Sequence, residues 1–399
     1  EQFACVAVRC GGASTRIPDG RGGWEDLPAG TAHYLEHKMF DTEGGSASDR
    51  FGETGASDNA FTSETMTAYY FTGTRDFEEN LRTLLEMVSI PWFTRESVDK
   101  ERGIIAQEIR MVEDNPDWQI YQQLLQALYV RHASRVPIAG TVESIAEITP
   151  QTLYDCHKAF YTPANMVLTV VGDVRPDRVF EAAERILPAE SGPDIERDYG
   201  DEPEAIHEKE VTRHMEVSAP QFLLGFKCPP PERGESGYRT ELLGDLAWDI
   251  LLGESSPLYQ RLYENCTING SFGGAFDTLP GAACLYAGGD CREPRKVAEA
   301  ILRETERLQT DGIDPDYWQR MRRAAFGSTL RGLNSFENIA VGLAEGCFQG
   351  YDAFRFPRVY ESIQPEDVLA FLRQNVREER MALSRILPGQ EQEKEGTDA

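Results

Sequence analysis

The chain has 399 residues and carries 40 Lys and Arg against 67 Asp and Glu, so its net charge at pH 7 is −27. Hydrophobic residues make up 40% and charged residues 27%, which is typical of a globular protein and not of a disordered or fibrous one. Nucleic acids and anionic membranes favour clustered Lys and Arg, so we expect neither as a partner. The longest apolar run, Met166–Val171, is far shorter than the roughly 20 residues that span a bilayer.

The eight cysteines favour a reducing compartment. No two of them have C-x-x-C spacing, which disfavours a zinc site built from cysteines, and their density is below that of a disulfide scaffold. No signal peptide is recognisable. We therefore expect free, buried thiols in a reducing cytoplasm. The two N-glycosylation sequons at Asn265 and Asn269 would matter only on a secretory route.

Hydrophobic periodicity in the first half predicts a mixture of strands and helices. Strands are expected where β-branched and aromatic residues are enriched, and a loop where Gly and Pro cluster. In chain order these elements are strand 3–8, loop 18–30, helix 31–40, strand or hairpin arm 59–70, helices 77–88 and 97–112, and strand 165–173.

An acidic stretch rich in Pro and Gly divides the chain, and it predicts a linker at 188–206. A chain near 400 residues is too long for one ordinary core, so we expect two domains, at 1–187 and 207–388. The polar residues 389–399 predict a disordered tail.

The second half repeats the order of elements in the first. Ile148-Thr-Pro-Gln and Ile363-Gln-Pro-Glu each precede an apolar strand, and helices expected at 296–308 and 316–330 match the helices at 77–88 and 97–112. The offset is roughly 215 to 220 residues, which favours an internal duplication. Chance similarity between amphipathic helices is the alternative. The predicted fold class is α+β, in two homologous domains.

One short segment carries the chemistry: His33-Tyr34-Leu35-Glu36-His37. On a helix, residues four apart project side by side, so His33 and His37 can bind one Zn²⁺. Glu36 can reach the same side and accept a proton from water on the metal. This H-x-x-E-H spacing is the inverzincin signature. The alternative is a surface helix with incidental His and Glu.

A catalytic zinc needs a third protein ligand and one open position. Glu108 lies at the edge of the apolar stripe of the helix predicted at 97–112, where a carboxylate favours a cation or a donor. Glu101 precedes it by two turns on the same face. The alternative is that both are ordinary solvated acids.

Together these residues resemble the pitrilysin/insulinase family of zinc peptidases, which includes the mitochondrial processing peptidases. The resemblance covers nearly the whole chain and is closest to short two-domain bacterial members, which often work as active and inactive pairs. Besides H-x-x-E-H, the matching segments are Glu101-Arg-Gly-Ile-Ile-Ala-Gln-Glu108, Asn59-Ala-Phe-Thr62, Gly140-Thr-Val-Glu-Ser-Ile145 and Tyr161-x-Pro-x-Asn-Met166.

The resemblance implies a role for each matching residue. His33, His37 and Glu108 would bind one zinc ion per chain, Glu36 would be the general base, and Glu101 would support the site from behind the ligands. It also implies two homologous domains, each a mostly antiparallel sheet packed with helices in ferredoxin-like repeats.

The family's substrate-pairing edge strand is matched by Asn59, Ala60, Phe61 and Thr62. A free strand edge binds an extended peptide through backbone hydrogen bonds, whatever the peptide's sequence. An ordinary strand is the alternative for this segment.

The second half departs from the family's active pattern. Its aligned helix, Leu243–Gly253, has no H-x-x-E-H, and the position matching Glu108 falls near Ser328. Family members also carry an Arg and a Tyr in a later domain that clamp the substrate, and Arg261–Phe272 shows no clear pair. We therefore expect a heterodimer with a zinc-free homologue rather than a homodimer.

The leading hypothesis is a zinc endopeptidase that cleaves peptides or small unfolded proteins inside a closed chamber. The main alternative is a non-catalytic structural or peptide-binding subunit, because the fold alone does not determine function. A third possibility is a chaperone for a short peptide precursor. The resemblance leaves open whether the peptide is the leader of a natural product or is connected with modification of elongation factor P.

Overall fold

A computed structural model describes residues 1–19, 21–188, 191–192, 195, 197 and 199–389. The tail predicted at 389–399 lies, apart from Gly389, outside the described residues. Six positions of the predicted linker at 188–206 also lie outside them. Within the described part, every helix is too short or too polar to cross a lipid bilayer.

The described residues form strands and helices in both halves of the chain. The strands are β1 (Gln2–Val8), β2 (Arg16–Pro18), β3 (Trp24–Asp26), β4 (Asp41–Thr42), β5 (Gly45–Ser46), β6 (Ser57–Thr62), β7 (Thr67–Gly73), β8 (Met166–Gly172), β9 (Glu210–Met215), β10 (Gln221–Cys228), β11 (Gly273–Leu279), β12 (Ala282–Asp290) and β13 (Met381–Pro388). The α-helices are α1 (Thr31–Lys38), α2 (Ala47–Thr54), α3 (Phe77–Ser89), α4 (Arg95–Glu113), α5 (Pro116–Leu128), α6 (Val142–Ala146), α7 (Pro150–Phe160), α8 (Pro176–Ile186), α9 (Glu235–Leu252), α10 (Pro257–Glu264), α11 (Pro294–Asp311), α12 (Pro315–Gly332), α13 (Phe336–Gln349), α14 (Phe356–Ser362) and α15 (Pro365–Asn375).

The first half is built on an antiparallel sheet with strand order β6-β7-β1-β8. Strand β1 is central and almost wholly buried, as its run of apolar residues predicts. Alternate residues of β1 point to opposite faces, so Ala4, Val6 and Val8 face the helices of the first half. Strand β6 lies at the free edge.

The second half repeats this sheet in the same order, β11-β12-β10-β13, and adds β9 parallel to β13 as a fifth strand. The central strand begins at Gln2 in the first sheet and at Gln221 in the second, and the following elements keep a similar offset. The prediction of an α+β fold made of two homologous halves is therefore confirmed.

The two halves exchange one helix each. Helix α5 of the first half packs on β10 and β13, where Leu124 and Leu128 join the apolar residues of the second sheet. A Cβ atom on Gly225 of β10 would lie 2.9 Å from the Leu124 methyl carbons, so the glycine permits this close approach. In return, α13 packs on β1 and β8 through Ala340, Ala344 and other apolar residues. Each sheet is thus covered on one face by its own helices and on the other by a helix of the opposite half.

Two segments differ from the predicted elements. The loop predicted at 18–30 contains part of a small hairpin, because β2 and β3 pair between Arg16 and Asp26. The segment 59–70, predicted as one strand or hairpin arm, contains parts of both arms of a hairpin of β6 and β7, with its turn at 63–66. The turn is only four residues long, and Thr, Tyr and Phe on both sides of it concealed the break in the strand.

Candidate metal centre

Helix α1 carries the H-x-x-E-H segment and is fixed at both its start and its buried face. Its N-cap, Gly30, has a φ of 92°, and a Cβ atom there would lie 2.5 Å from the carbonyl oxygen of Ala139. Only glycine fits this turn without strain. On the buried face, the Tyr34 hydroxyl donates a hydrogen bond of 2.5 Å to the carbonyl oxygen of Val98 in α4. This bond ties α1 to the helix that carries Glu101 and Glu108.

His33, His37 and Glu108 come together, with one donor atom from each lying within 4.8 Å of the others. His33 Nε2 is 3.4 Å from Glu108 Oε1, and His37 Nε2 is 3.5 Å from Glu108 Oε2. Ligand atoms placed tetrahedrally around zinc at roughly 2.0–2.1 Å are about 3.3 Å apart. Two imidazoles and one carboxylate therefore fit a zinc ion and leave its fourth position open.

Glu36 lies on the same helix and is only 9% exposed. Its Oε2 accepts a hydrogen bond of 2.5 Å from the Thr62 hydroxyl at the end of β6. This bond fixes the carboxylate beside the ligands and leaves its other oxygen free to accept a proton. The contact with Thr62 gives this residue a second role that its position in the predicted edge strand did not indicate.

Glu101 stands behind His37, where its Oε1 is 3.0 Å from His37 Nδ1. A histidine that binds metal through one nitrogen commonly donates the other N–H to a carboxylate, which sets its tautomer and its orientation. Burial alone lowers the pKa of His37, but the hydrogen bond to Glu101 and the charges of Glu36 and Glu108 outweigh it and raise the pKa. The same hydrogen bond lowers the pKa of Glu101.

The other two ligands are held differently. The contact with His33 lowers the pKa of Glu108, so this carboxylate is kept in the charged form that a metal needs. His33 Nδ1 is buried and has no hydrogen-bond partner among the described residues. Within the described residues, Nδ1 of His33 thus has no partner of the kind that Glu101 provides for Nδ1 of His37.

The four residues predicted to bind substrate lie on β6, whose outer edge is not paired with any described strand. Asn59 is exposed, and Ala60, Phe61 and Thr62 are half-buried. The Asn59 Oδ1 atom accepts a hydrogen bond of 2.9 Å from the backbone N–H of Ala60, and its Nδ2 is 3.2 Å from the Tyr70 hydroxyl. The strand thus leads along its free edge to Thr62 and Glu36.

Matching the two sheets shows what replaces the metal residues in the second half. In the first sheet, Thr62 pairs with Thr67, and Val8 pairs with both Thr67 and Met166. In the second sheet, Phe276 pairs with Leu285, and Phe226 pairs with both Leu285 and Met381. These two rows of residues, each running across four strands, match each other. Gly244 of α9 lies against the Phe276 ring, as Glu36 lies against Thr62. Helix α9 of the second half contains no histidine. Within the described residues, His33, His37 and Glu108 are the group that could hold a metal ion.

Arg261, the candidate for a substrate clamp, is engaged elsewhere. Its Nη2 is 2.5 Å from Oε2 of Glu304, a carboxylate that is only 5% exposed. This pairing makes Arg261 part of the packing between α10 and α11.

Comparison with known proteins agrees with this geometry. A family profile described as "Insulinase (Peptidase family M16)" matches residues 24–142, and one described as "Peptidase M16 inactive domain" matches residues 147–325. The uncharacterized zinc protease YmfH of Bacillus subtilis is 36% identical over 97% of this chain and 91% of its own length.

Solved structures show the same architecture. An M16-like peptidase from Alicyclobacillus acidocaldarius has a TM-score of 0.92 and 31% identity, covering 97% of this chain and 93% of its own. A chain of complex III2 from Candida albicans has a TM-score of 0.77 at 14% identity, covering 96% and 90% of the two chains, and so shares the fold. On the profiles and on the identity to YmfH, the chain belongs to peptidase family M16, the insulinase family of zinc peptidases.

Proposed function

We propose that this chain is a zinc-dependent endopeptidase that cleaves peptides or small unfolded proteins, with Glu36 as general base. One observation carries the proposal: His33, His37 and Glu108 present three donor atoms within 4.8 Å, beside a carboxylate that Thr62 holds in place. A non-catalytic relative would share the family membership but would not need this set of ligands and base. A complete set of ligands and base has no use in a purely structural subunit.

Each residue has a defined task in this proposal. A zinc ion in the site would supply a Lewis acid that polarises the scissile carbonyl and lowers the pKa of water. Glu36 accepts the proton of the attacking water through its free oxygen and then delivers it to the leaving amine. Thr62 keeps the other oxygen of Glu36 occupied, so the carboxylate cannot turn away. Glu101 holds His37 in the tautomer that presents Nε2 to the metal.

The free edge of β6 supplies the means of binding a peptide. An extended segment added to this edge gains backbone hydrogen bonds irrespective of its sequence. Such a segment runs along Asn59–Thr62 and reaches the Thr62–Glu36 hydrogen bond. This arrangement favours unfolded substrates, because most backbone N–H and C=O groups of a folded protein are already hydrogen-bonded within it.

The proposed partner is a zinc-free homologue that closes the chamber over the metal centre. Arg261 is occupied by Glu304, and its segment carries no clear Arg–Tyr clamp. A second chain would supply the missing contacts to the substrate. A homodimer is the weaker version of this proposal, because a second copy would bring no clamp either.

The test combines metal analysis with peptide hydrolysis. The purified chain, alone and mixed with a zinc-free homologue from the same genome, is assayed on a library of quenched fluorescent peptides. We expect one zinc per chain, hydrolysis that a chelator abolishes, and a large increase with the homologue. Stoichiometric zinc together with no hydrolysis in either sample would contradict the proposal.

A second candidate function is a non-catalytic subunit, and the similarity to a chain of complex III2 favours it because that likeness is of the whole fold. The two functions differ in their dependence on Glu36. A structural subunit would keep its assembly and all its properties when Glu36 is changed to Gln. An enzyme would keep its assembly and lose hydrolysis.

A further inference from the structure

A cleft of about 350 Å³ opens between the two halves. Arg9, which follows β1, and Thr65, in the turn between β6 and β7, line it from the first half. Arg233 and Tyr351 line it from the second half, and Tyr199 lies between them in the chain. The cleft is therefore a place where a ligand would touch both halves at once.

The two arginines lie in a strongly acidic chain, so their own contacts decide whether they can bind an anion. Arg233 donates from Nη2 to the carbonyl oxygen of Phe348 at 2.7 Å. Within the described part of the chain, neither Arg9 nor Arg233 lies within salt-bridge distance of a carboxylate. An anion in the cleft would therefore meet two guanidinium groups that no described carboxylate holds.

The charges around Arg9 point the same way. Burial, together with the positive charges of Arg197 and Arg233, lowers the pKa of Arg9. Arg197 is held in place by its Nη2, which donates to the carbonyl oxygen of Arg9 at 3.1 Å. Arg9 and Arg233 thus place two like charges on the lining of one cleft. An anion bound there would relieve their mutual repulsion.

Three carboxylates, Glu232, Glu241 and Glu345, also line the cleft, and none of them lies within salt-bridge distance of Arg9 or Arg233. Burial, with the charges of Glu345 and Asp245, raises the pKa of Glu241 to about 7. Burial also raises the pKa of Glu345. Burial thus disfavours the charged form of Glu241 and Glu345.

The cleft begins near the end of β6. Thr62 contacts Glu36, and Thr65 is three residues further along. Three residues span at most roughly 11 Å, so the cleft begins within that distance of the end of β6. A peptide strand that pairs with β6 and continues past Thr62 would enter the cleft a few residues beyond the metal centre.

We propose that Arg9 and Arg233 form a subsite for a carboxylate of the peptide substrate, a few residues from the scissile bond. The inference rests on the proposed peptidase function and names a feature of its substrates. Arginine guanidinium groups bind carboxylates by charge-assisted, often bidentate, hydrogen bonds. The carboxylate can come from an Asp or Glu side chain or from the C-terminus of the peptide. The subsite would give an acidic enzyme a positional preference for an acidic residue.

The test uses quenched fluorescent peptides that differ only in one Glu or Gln, moved position by position around a fixed cleavage site. Each peptide is made with a free and with an amidated C-terminus, which separates the two sources of the carboxylate. We expect one position, or the free C-terminus, to raise kcat/KM about tenfold over its neutral counterpart. Arg9→Gln and Arg233→Gln should each bring that ratio close to one.

Two variants make the outcome interpretable if one substitution fails to fold or acts non-specifically. Arg233 is exposed, so Arg233→Gln tests the subsite even if Arg9→Gln fails to fold. Arg303→Gln, on the exposed side of α11, is the matched control and should keep the ratio of the wild type. Hydrolysis with no preference for a carboxylate at any position would overturn the subsite and leave the peptidase proposal standing.

A binding measurement tests the subsite in the case where no peptide is hydrolysed. Fluorescence anisotropy of the same peptides with the Glu36→Gln variant measures recognition without cleavage. A preference for the carboxylate that is lost in Arg233→Gln would support the subsite even if no peptide is hydrolysed. Equal binding of the Glu and Gln peptides at all positions would overturn it.

Discussion

The two halves of the chain share one fold but only one of them carries the metal residues. The first half has His33, Glu36 and His37 on α1, and helix α9 of the second half has no histidine. Both halves nevertheless build the same sheet in the same strand order. The sheet therefore forms without any contribution from a metal, and the metal residues are an addition to a scaffold that is complete without them.

The contrast at Glu36 shows what the addition requires. Glu36 needs a small polar neighbour, and Thr62 provides both the space and the hydrogen bond. The matching position in the second sheet is Phe276, whose ring fills that space against Gly244. Changes on either side of this comparison should have effects of different kinds, on chemistry in the first half and on packing in the second.

The largest expected effect is on chemistry. Changing Glu36 to Gln removes the proton acceptor but keeps the shape of the side chain, and a general base typically contributes 10²- to 10⁴-fold. We expect kcat to fall by about 10³-fold while the zinc content measured by atomic absorption stays the same. Glu43→Gln, at an exposed position near α1, is the matched control and should keep full activity. Retained activity in Glu36→Gln would exclude Glu36 as the base.

The next largest effect is on stability, and it concerns the contacts that hold the exchanged helix α5 in place. Glu202 accepts hydrogen bonds from the backbone N–H groups of Val130 and Arg131, just after α5, and pairs with Lys227 at 2.5 Å. The side chains of Glu202 and Lys227 are only 8% and 5% exposed. Removing one partner of a buried pair costs about 3 kcal/mol, so Glu202→Gln should lower the free energy of unfolding by that amount. Urea unfolding at pH 7 measures it.

The same residue predicts a dependence on pH. Burial raises the pKa of Glu202, but the hydrogen bonds from Lys227 and the backbone outweigh it and lower the pKa below the ordinary 4.5. The stabilisation is therefore complete above pH 4.5 and is lost as the pH falls through the lower folded-state pKa. Burial lowers the pKa of Lys227, which affects the alkaline side only. Glu202→Gln should flatten the acid limb of the stability curve, and an unchanged limb would contradict this assignment.

A packing change in the second half comes third. A Cβ atom on Gly244 would lie 2.1 Å from Cδ1 of Phe276, so Gly244→Ala overpacks the site and should cost about 2 kcal/mol. In an open helix the same change would stabilise by up to about 1 kcal/mol, so the sign is diagnostic. Thermal unfolding of Gly244→Ala with and without Phe276→Ala gives the answer. We expect Gly244→Ala to cost no stability when Phe276 is also changed to Ala.

The smallest expected effect concerns the support of His37. Glu101→Gln keeps the size of the side chain but weakens the hydrogen bond to Nδ1, and such supporting contacts typically affect metal affinity 10- to 100-fold. We expect a loss of zinc affinity of about tenfold, measured by competition with a chromophoric chelator. Glu96→Gln, in the first turn of α4, is the control. An unchanged zinc affinity would show that metal binding does not depend on the hydrogen bond between His37 and Glu101.

The sequence predicted the metal residues because their types are uncommon and their spacing is rigid. Two histidines four apart on a helix have few other uses, and the position of Glu108 on an apolar stripe indicated a buried role. The edge strand at Asn59–Thr62 was predicted through family resemblance. The hydrogen bond from Thr62 to Glu36 was missed, because hydroxyl contacts across elements leave no periodic trace.

Other features were out of reach for physical reasons. An apolar stripe shows that a helix is buried, but it does not say which sheet covers it, so the exchange of α5 and α13 was not predicted. Arg9 and Arg233 are 224 positions apart in the sequence, one in each homologous half, and line the same cleft only in the folded chain.

The exchanged helices also bear on the origin of the chain. A solitary half would leave one face of its sheet bare, with residues such as Phe3, Cys5 and Ala7 open to water. A single-unit ancestor would therefore need a twin, each copy lending a helix to the other. Gene fusion would then have locked an existing pair together and freed one member to lose its metal.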